Sequence, residues 1–316
     1  MARVLVTRRL TPGGTDPLVA AGHEIVSFDD GTDSALSPID LAAQAAECDG
    51  MVCLLTDRID ATVLEAGRAG RLRVVGTAAV GYDNIDVATA RTLGVSVCNT
   101  PGVLDDTTAD VAFLLILAAR RDASTAEADL RQGRWTGWGF NTNLAHDVHG
   151  AVLGLVGHGR IAQAVARRAA GFDMEVLHTS RTDTGLPGYV PELGELLARS
   201  DIVSLHVPLT QHTRHLIGRD ELALMKPTAV LVNTARGPVV DEDALADALE
   251  AGTLGGAGLD VFDGEPSVNP RLLTAPRATL LPHIGSATVG TRTRMAQLAC
   301  QGVVDVLAGR TPPNLV

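Results

Sequence analysis

Aromatic side chains make up only 3% of the 316 residues, so any core has to be assembled from the small and branched aliphatics that dominate the 46% hydrophobic fraction. Such side chains suit helices packed on buried parallel strands. No apolar run approaches the ~20 residues that span a bilayer, which excludes a transmembrane helix. Cysteines are few (Cys48, Cys53, Cys98, Cys300), and none stands in a CxxC or mixed Cys/His ligand spacing. A zinc or other metal site is therefore not expected. Lysine is almost missing: Lys226 is the only one, and every other basic residue is arginine. That bias fits GC-rich coding and says little about mechanism. The formal charge of −11 repels phosphate backbones, so nucleic acid is not expected as a partner. The chain opens on a strand pattern, Arg3–Thr7, with no leader pattern before it, and a cytoplasmic location is the expectation.

What is present is an alternation of strand-like and helix-like segments. Strands are expected at Glu24–Phe28, Met51–Leu55, Leu72–Thr77 and Val95–Cys98, and helical segments at Leu18–Ala21, Ile39–Ala46, Ala61–Ala69 and Val87–Leu93. A helix over about Thr107–Arg120 and a charged one over Ala123–Gln132 follow, then a Trp-, Gly- and Asn-rich stretch, Gly133–Asn143, that reads as an arm. A second series has strands at Val152–Val156, Glu175–His178, Ile202–His206, Ala229–Asn233, Gly256–Val261 and Thr279–Leu281, and closes on a helix, Thr288–Leu307. This rhythm predicts an α/β protein of two Rossmann-like or flavodoxin-like domains with parallel sheets. The expected division is residues 1–98 plus 288–316, interrupted by an inserted domain over 99–287 that carries a dimerisation arm at about 120–148.

Within the second series, the strand Val152–Val156 runs into Gly157-His158-Gly159-Arg160-Ile161-Ala162 and a helix. This is a dinucleotide fingerprint, G-x-G-x-x-A. The first glycine permits the tight turn, the second lets backbone approach a pyrophosphate, and Ala162 permits close helix–strand packing. His158 is expected to face solvent or a phosphate. An NAD-preferring site places an acid about 20 residues further on, to hold the ribose 2′-hydroxyl. Here Ser180 stands in that place with Arg181 beside it, so NADP(H) is the preferred cofactor and NAD(H) a possible one; Asp183 weakens the basic character.

Three later segments put chemistry-bearing residues after strands: Arg236 in Asn233-Thr234-Ala235-Arg236-Gly237-Pro238, Asp260 and Glu265 in Leu259–Pro266, and His283 in Leu281–Ser286. Strand ends face the crevice where α/β enzymes bind ligands. A guanidinium can hold a carboxylate and polarise a ketone, and an imidazole can give a proton near neutral pH, oriented by a carboxylate on its other nitrogen. Each residue alone is more often structural; together, beyond a dinucleotide turn, they point to reduction of a 2-oxo acid.

The sequence resembles the D-isomer-specific 2-hydroxyacid dehydrogenases through nearly its whole length. The segments carrying the resemblance are Val80-Gly81-Tyr82-Asp83-Asn84-Ile85-Asp86, Asn99-Thr100-Pro101-Gly102, the Gly157 turn, Leu205-His206-Val207-Pro208-Leu209-Thr210, Asn233–Asp241, Leu259–Pro266 and Pro282–Thr288. Within that family it is most similar to glyoxylate/hydroxypyruvate reductases, by Asn99–Leu104, Trp135-Thr136-Gly137-Trp138 and the missing acid at Ser180. Asp110, Asp173 and Gly290 depart from the family pattern and blur the substrate assignment.

The resemblance implies Arg236, Glu265 and His283 as the catalytic residues, with Glu265 the partner of His283 and His283 the general acid/base. It implies substrate contacts at Val80, Gly81 and Arg236, with Trp138 reaching a partner subunit or merely packing there. Leu54 or Leu55 would line an acyl pocket or belong to the core. Cofactor contacts are implied at Thr107, Gly157, His158, Gly159, Arg160 and Ile161, and at Ser180 and Arg181. Val207, Pro208, Thr213, Thr234, Ala235 and Arg236 continue the set, which ends with Asp260, His283, Gly285 and Ser286. The family also implies a homodimer and a first domain that closes over a small 2-oxo or 2-hydroxy acid. D-lactate-type turnover, phosphite oxidation and a dinucleotide-sensing corepressor on the same scaffold remain alternatives.

Overall fold

The computed structural model describes residues 1–27 and 35–316, and it divides into two compact units, 1–104 with 286–316 and 105–285. In the first unit the strands β1 (Arg3–Val6), β2 (Glu24–Ser27), β3 (Gly50–Cys53), β4 (Val74–Thr77) and β5 (Ser96–Cys98) form a parallel sheet in the order β2-β1-β3-β4-β5. Phe28, expected to end β2, lies outside the described residues. One face of the sheet is lined by α1 (Asp16–Ala20), through the buried Leu18, and by the C-terminal helix Val289–Leu307, whose Ala299, Cys300 and Val303 are buried against Val4, Val52 and Val74. The other face packs on α2 (Pro38–Ala46), α3 (Ala61–Ala69) and α4 (Val87–Leu93).

Residues 99–104, expected to open the second unit, belong to the first. The Asn99 N–H donates to the Asn314 carbonyl (3.1 Å), the Thr100 N–H to the Ala79 carbonyl (2.9 Å), and the Asn99 amide to the Val80 carbonyl (2.9 Å). The bonded partners of this stretch, not its position after a strand, decide where it groups. Ser286 and Ala287 also group with the first unit.

The second unit holds β6 (Val152–Val156), β7 (Glu175–Thr179), β8 (Ile202–Leu205), β9 (Val230–Asn233), β10 (Gly256–Leu259) and β11 (Ala278–Leu280), all parallel, in the order β11-β10-β9-β8-β6-β7. Strands β8, β9 and β10 are buried at every residue, as a sheet covered on both faces requires. Helix α5 (Asp105–Arg120) is followed by α6 (Ala123–Arg131), which has no buried residue, and the stretch after α6 leaves Trp135, Trp138, Phe140 and Leu144 exposed. Helices α5 and α7 (Arg160–Ala169) pack one face of the sheet through Ala109, Ala112, Ile116, Ala162 and Val165. Helices α8 (Leu193–Arg199), α9 (Arg219–Leu224) and α10 (Glu242–Glu250) pack the other.

Strand β6 pairs with β7 on one side and β8 on the other. The chain therefore reverses its direction across the sheet at the carboxyl end of β6, the place where open α/β sheets take ligands. The Gly157 turn sits there.

Candidate active site

Gly157 leaves β6 with φ +95°, a left-handed backbone that a side chain resists, and its N–H donates to the Thr179 carbonyl (2.9 Å). A Cβ at Gly157 would lie 2.6 Å from the His206 carbonyl oxygen, so the turn is wedged between the ends of β7 and β8. Gly159 is the N-cap of α7 and offers no side-chain cap, while a Cβ there would meet nothing within 4 Å. Open space in front of an uncapped helix N-terminus, where N–H groups and the positive end of the dipole converge, fits a dinucleotide pyrophosphate. The hydroxyl of Thr234, just past β9, is buried without a partner among the described residues, as is Nδ1 of His158. Both are polar atoms that a bound group can satisfy.

His158, expected to face solvent or a phosphate, is half-buried. Its ring stacks on that of His178, with centroids 3.9 Å apart, and burial lowers its pKa. His178 is 1% exposed and bonds Thr184 Oγ1 (2.7 Å); burial and the neighbouring imidazole lower its pKa too. Ser180 is half-buried, its hydroxyl donating to the Thr182 carbonyl (2.6 Å), and Arg181 is exposed. One Asp183 carboxylate oxygen accepts the Gly185 N–H (2.8 Å), which commits it to its own turn. After β8, Val207 and Pro208 lie in a loop that Thr213 ties together by donating to the Pro208 carbonyl (2.6 Å) and accepting the Thr210 N–H (2.8 Å). Arg160 leans on Asp105 (3.4 Å), Ile161 is half-buried beside it in sequence, and Thr107 lies half-buried in the first turn of α5.

At the end of β9 the Asn233 side chain re-aims the backbone. Its carbonyl oxygen accepts the Ala235 N–H (2.9 Å) and its amide donates to the Arg236 carbonyl (2.9 Å). Arg236 follows in extended conformation, one guanidinium nitrogen donating to the Ala235 carbonyl (2.8 Å). Gly237 then presses on the next strand's loop: a Cβ there would fall 1.9 Å from the Phe262 carbonyl carbon.

At the end of β10, Asp260 is 1% exposed, and its two oxygens accept the N–H groups of Ile284 (2.7 Å) and Gly285 (2.8 Å). Burial raises its pKa despite those two donors. The clamp fixes the loop after β11, in which His283 takes a left-handed φ of +53°. Glu265 accepts the Phe262 N–H at one oxygen (2.8 Å) and meets His283 Nδ1 at the other (2.7 Å). Burial would raise the Glu265 pKa, but the His283 hydrogen bond and charge, the Phe262 N–H and the Arg236 guanidinium outweigh it and hold the carboxyl below its usual range. An ionised Glu265 accepts from Nδ1–H, which leaves His283 Nε2 as the ring nitrogen not engaged by the carboxylate. The dyad is about one-quarter exposed, 26% for each side chain, so it reaches solvent without being flooded by it.

In the first unit, Val80 and Gly81 follow β4, and neither N–H is hydrogen-bonded among the described residues. Two uncommitted N–H groups in one turn can take a carboxylate. Leu54 and Leu55 are half-buried, and the Leu54 N–H donates to Asp57 (2.8 Å). Asp57 is buried with Arg8 (3.1 Å) and accepts from the Thr7 hydroxyl (2.6 Å), a set that no strand-end motif signals.

The family model for the NAD binding domain of D-isomer specific 2-hydroxyacid dehydrogenases matches residues 113–285. This chain belongs to the D-isomer specific 2-hydroxyacid dehydrogenase family. A glyoxylate reductase of Korarchaeum cryptofilum is 46% identical to it over 324 residues, 99% of this chain and 95% of that one. Among solved structures, a Thermus thermophilus protein is 43% identical with a TM-score of 0.92, covering 99% of each chain. An NADPH-dependent glyoxylate/hydroxypyruvate reductase of Sinorhizobium meliloti, in complex with NADP and malonate, is 33% identical with a TM-score of 0.86, covering 99% of this chain and 96% of that one. The dehydrogenase is thus an oxidoreductase that uses a nicotinamide dinucleotide. No helix among the described residues is long and apolar enough to cross a membrane.

Asp260 provides a test of how the His283 loop is held. Asp260→Asn replaces one acceptor by an amide donor facing an N–H. A cost of about 1–3 kcal/mol is expected, with a fall in Tm and a slower enzyme. An unchanged melt and rate would show that the loop holds its shape without the clamp.

Proposed function

We propose that this dehydrogenase reduces glyoxylate or hydroxypyruvate to the D-2-hydroxy acid with NADPH. The observation that carries the reading is the 2.7 Å contact between His283 Nδ1 and Glu265, which leaves Nε2 to hold a proton. A nicotinamide dinucleotide, when bound, supplies the hydride that C2 of the 2-oxo acid accepts. His283 Nε2 gives the carbonyl oxygen its proton as the charge develops, Glu265 steadies the imidazolium that precedes the transfer, and Arg236 holds the carboxylate and polarises the ketone. In the first unit, the N–H groups of Val80 and Gly81 are the candidate donors to a carboxylate. The first unit is the substrate domain and the second the cofactor domain in this reading. Small substrates are supported by the names of the relatives, and a second copy of the chain is the proposed occupant of the exposed Trp135, Trp138, Phe140 and Leu144.

NADPH is favoured because Ser180 puts no carboxylate where the 2′-phosphate would sit, Arg181 is exposed beside it, and Asp183 is turned to Gly185. A panel of 2-oxo acids assayed with NADPH and NADH tests both points. Glyoxylate and hydroxypyruvate are expected to give the highest kcat/KM; turnover of none of the acids would favour a dinucleotide-sensing binding protein. Ser180→Asp is expected to move the NADPH-to-NADH ratio of kcat/KM toward NADH by at least ~10-fold, about 1.4 kcal/mol of discrimination. A ratio that stays put would place 2′-phosphate reading on other residues.

A further inference from the structure

Glu242, the first residue of α10, is 9% exposed and forms no salt bridge among the described residues, an unusual place for a carboxylate. Burial and the nearby carboxylates of Asp263, Asp243 and Glu265 all raise its pKa, and the Asp263 N–H opposes them. That N–H donates to Glu242 Oε1 at 2.7 Å. The same peptide is the one Gly237 presses on, since a Cβ at Gly237 would lie 1.9 Å from Phe262 C and 2.2 Å from Asp263 N. The Phe262–Asp263 peptide is therefore held from two sides, by the backbone that follows Arg236 and by the Glu242 carboxylate. Its neighbouring N–H, on Phe262, anchors one oxygen of Glu265 (2.8 Å), and the other oxygen meets His283. Arg214, 3.2 Å from the Asp263 carboxylate, adds a tie on the exposed side.

We propose that Glu242 is a positioning residue for the Glu265–His283 dyad: by capping the Asp263 N–H it fixes the turn from which Glu265 reaches the imidazole. This rests on the reading of His283 as proton donor and Glu265 as its partner. A hydrogen-bond acceptor at this point sets where Glu265 stands relative to both Arg236 and His283, because one peptide unit meets both the backbone after Arg236 and the Glu242 carboxylate. Misplacement of a proton-transfer pair by a fraction of an ångström slows the chemical step far more than it weakens substrate binding.

Full-length Glu242→Ala, Glu242→Asp and Glu242→Gln enzymes are compared in steady-state reduction of glyoxylate with NADPH, with Tm measured on each. Glu242→Ala is expected to lower kcat by ~10-fold or more while KM for the acid moves less than ~3-fold. Glu242→Asp, which keeps the charge but is one methylene short, is expected to fall with it. Glu242→Gln keeps a carbonyl acceptor for the Asp263 N–H and is expected to recover kcat to within ~3-fold of the parent. The proposal is overturned if Glu242→Ala and Glu242→Asp fold and keep the parental kcat, whatever their Tm. It is equally overturned if Glu242→Gln is as slow as the two shortened variants. Should Glu242→Ala not fold, the Asp and Gln pair decides. His283→Ala, run alongside, separates the two readings. Loss of turnover there with a normal Glu242→Ala rate removes only the positioning role, whereas retained turnover in His283→Ala removes the acid–base reading itself.

Discussion

Replacing His283 by alanine is expected to lower kcat for 2-oxo acid reduction by at least ~10²-fold, the scale of a lost general acid. KM for the acid is expected to change little, because the proton is shared with substrate in the transition state and not in the ground state. The dyad geometry gives the sign for the partner as well. Glu265 holds its charge below the usual carboxylate range because His283, the Phe262 N–H and Arg236 favour the anion over the burial that opposes it. A depressed carboxyl contributes its pairing above its unfolded pKa and loses it only as pH falls through the lowered folded value. Acidification through the ordinary carboxylate range should therefore leave the ion pair in place, and Glu265→Gln should remove that tolerance. Steady-state rates across pH, with and without each substitution, check both statements. A His283→Ala enzyme that turns over at the parental rate would refute the assignment.

The second large effect is expected at Gly237. Alanine there brings a methyl within 1.9 Å of Phe262 C and 2.2 Å of Asp263 N, atoms of backbone that cannot swing aside. Either the loop after β9 lifts off the loop after β10, or the protein unfolds more readily; overpacking of this kind costs about 1–3 kcal/mol and sometimes more. The lifted loop carries Arg236 away from Glu265 and His283, so kcat/KM should fall by ~10²-fold or more, beyond what the loss of Tm accounts for. Thermal melts and kcat/KM measured on the same preparation check this. Parental values for both would mean that the two loops adjust independently and that their contact has no part in the site.

These effects differ in how far they could be foreseen. The short apolar runs, the helical intervals between them and the Gly, Asp and Pro residues at their junctions write the alternation of strands and helices into the chain. Those local patterns report burial by backbone period alone, so both parallel sheets are legible from them. The Gly157 turn is legible for a similar reason, since strand, glycines and helix are contiguous. Residues lying after strands, Arg236, Glu265 and His283, can be nominated because parallel strands all present their carboxyl ends on one side.

What no local pattern carries is which strand ends are neighbours and which polar atoms they share. Strand order β9-β10-β11 brings Asp260 under Ile284 and Gly285 and sets Glu265 against His283, 18 residues on. The same assembly stacks His158 on His178, buries Arg8 with Asp57 and lays Glu242 on the Asp263 peptide. The chain on its own determined the fold class, the dinucleotide turn and the residue types available for chemistry, because these depend on neighbours in sequence. Beyond the Glu265–His283 pair, which the resemblance implies, tertiary packing decided the partners, because a hydrogen bond between loops exists only once the sheet has fixed the distance between them.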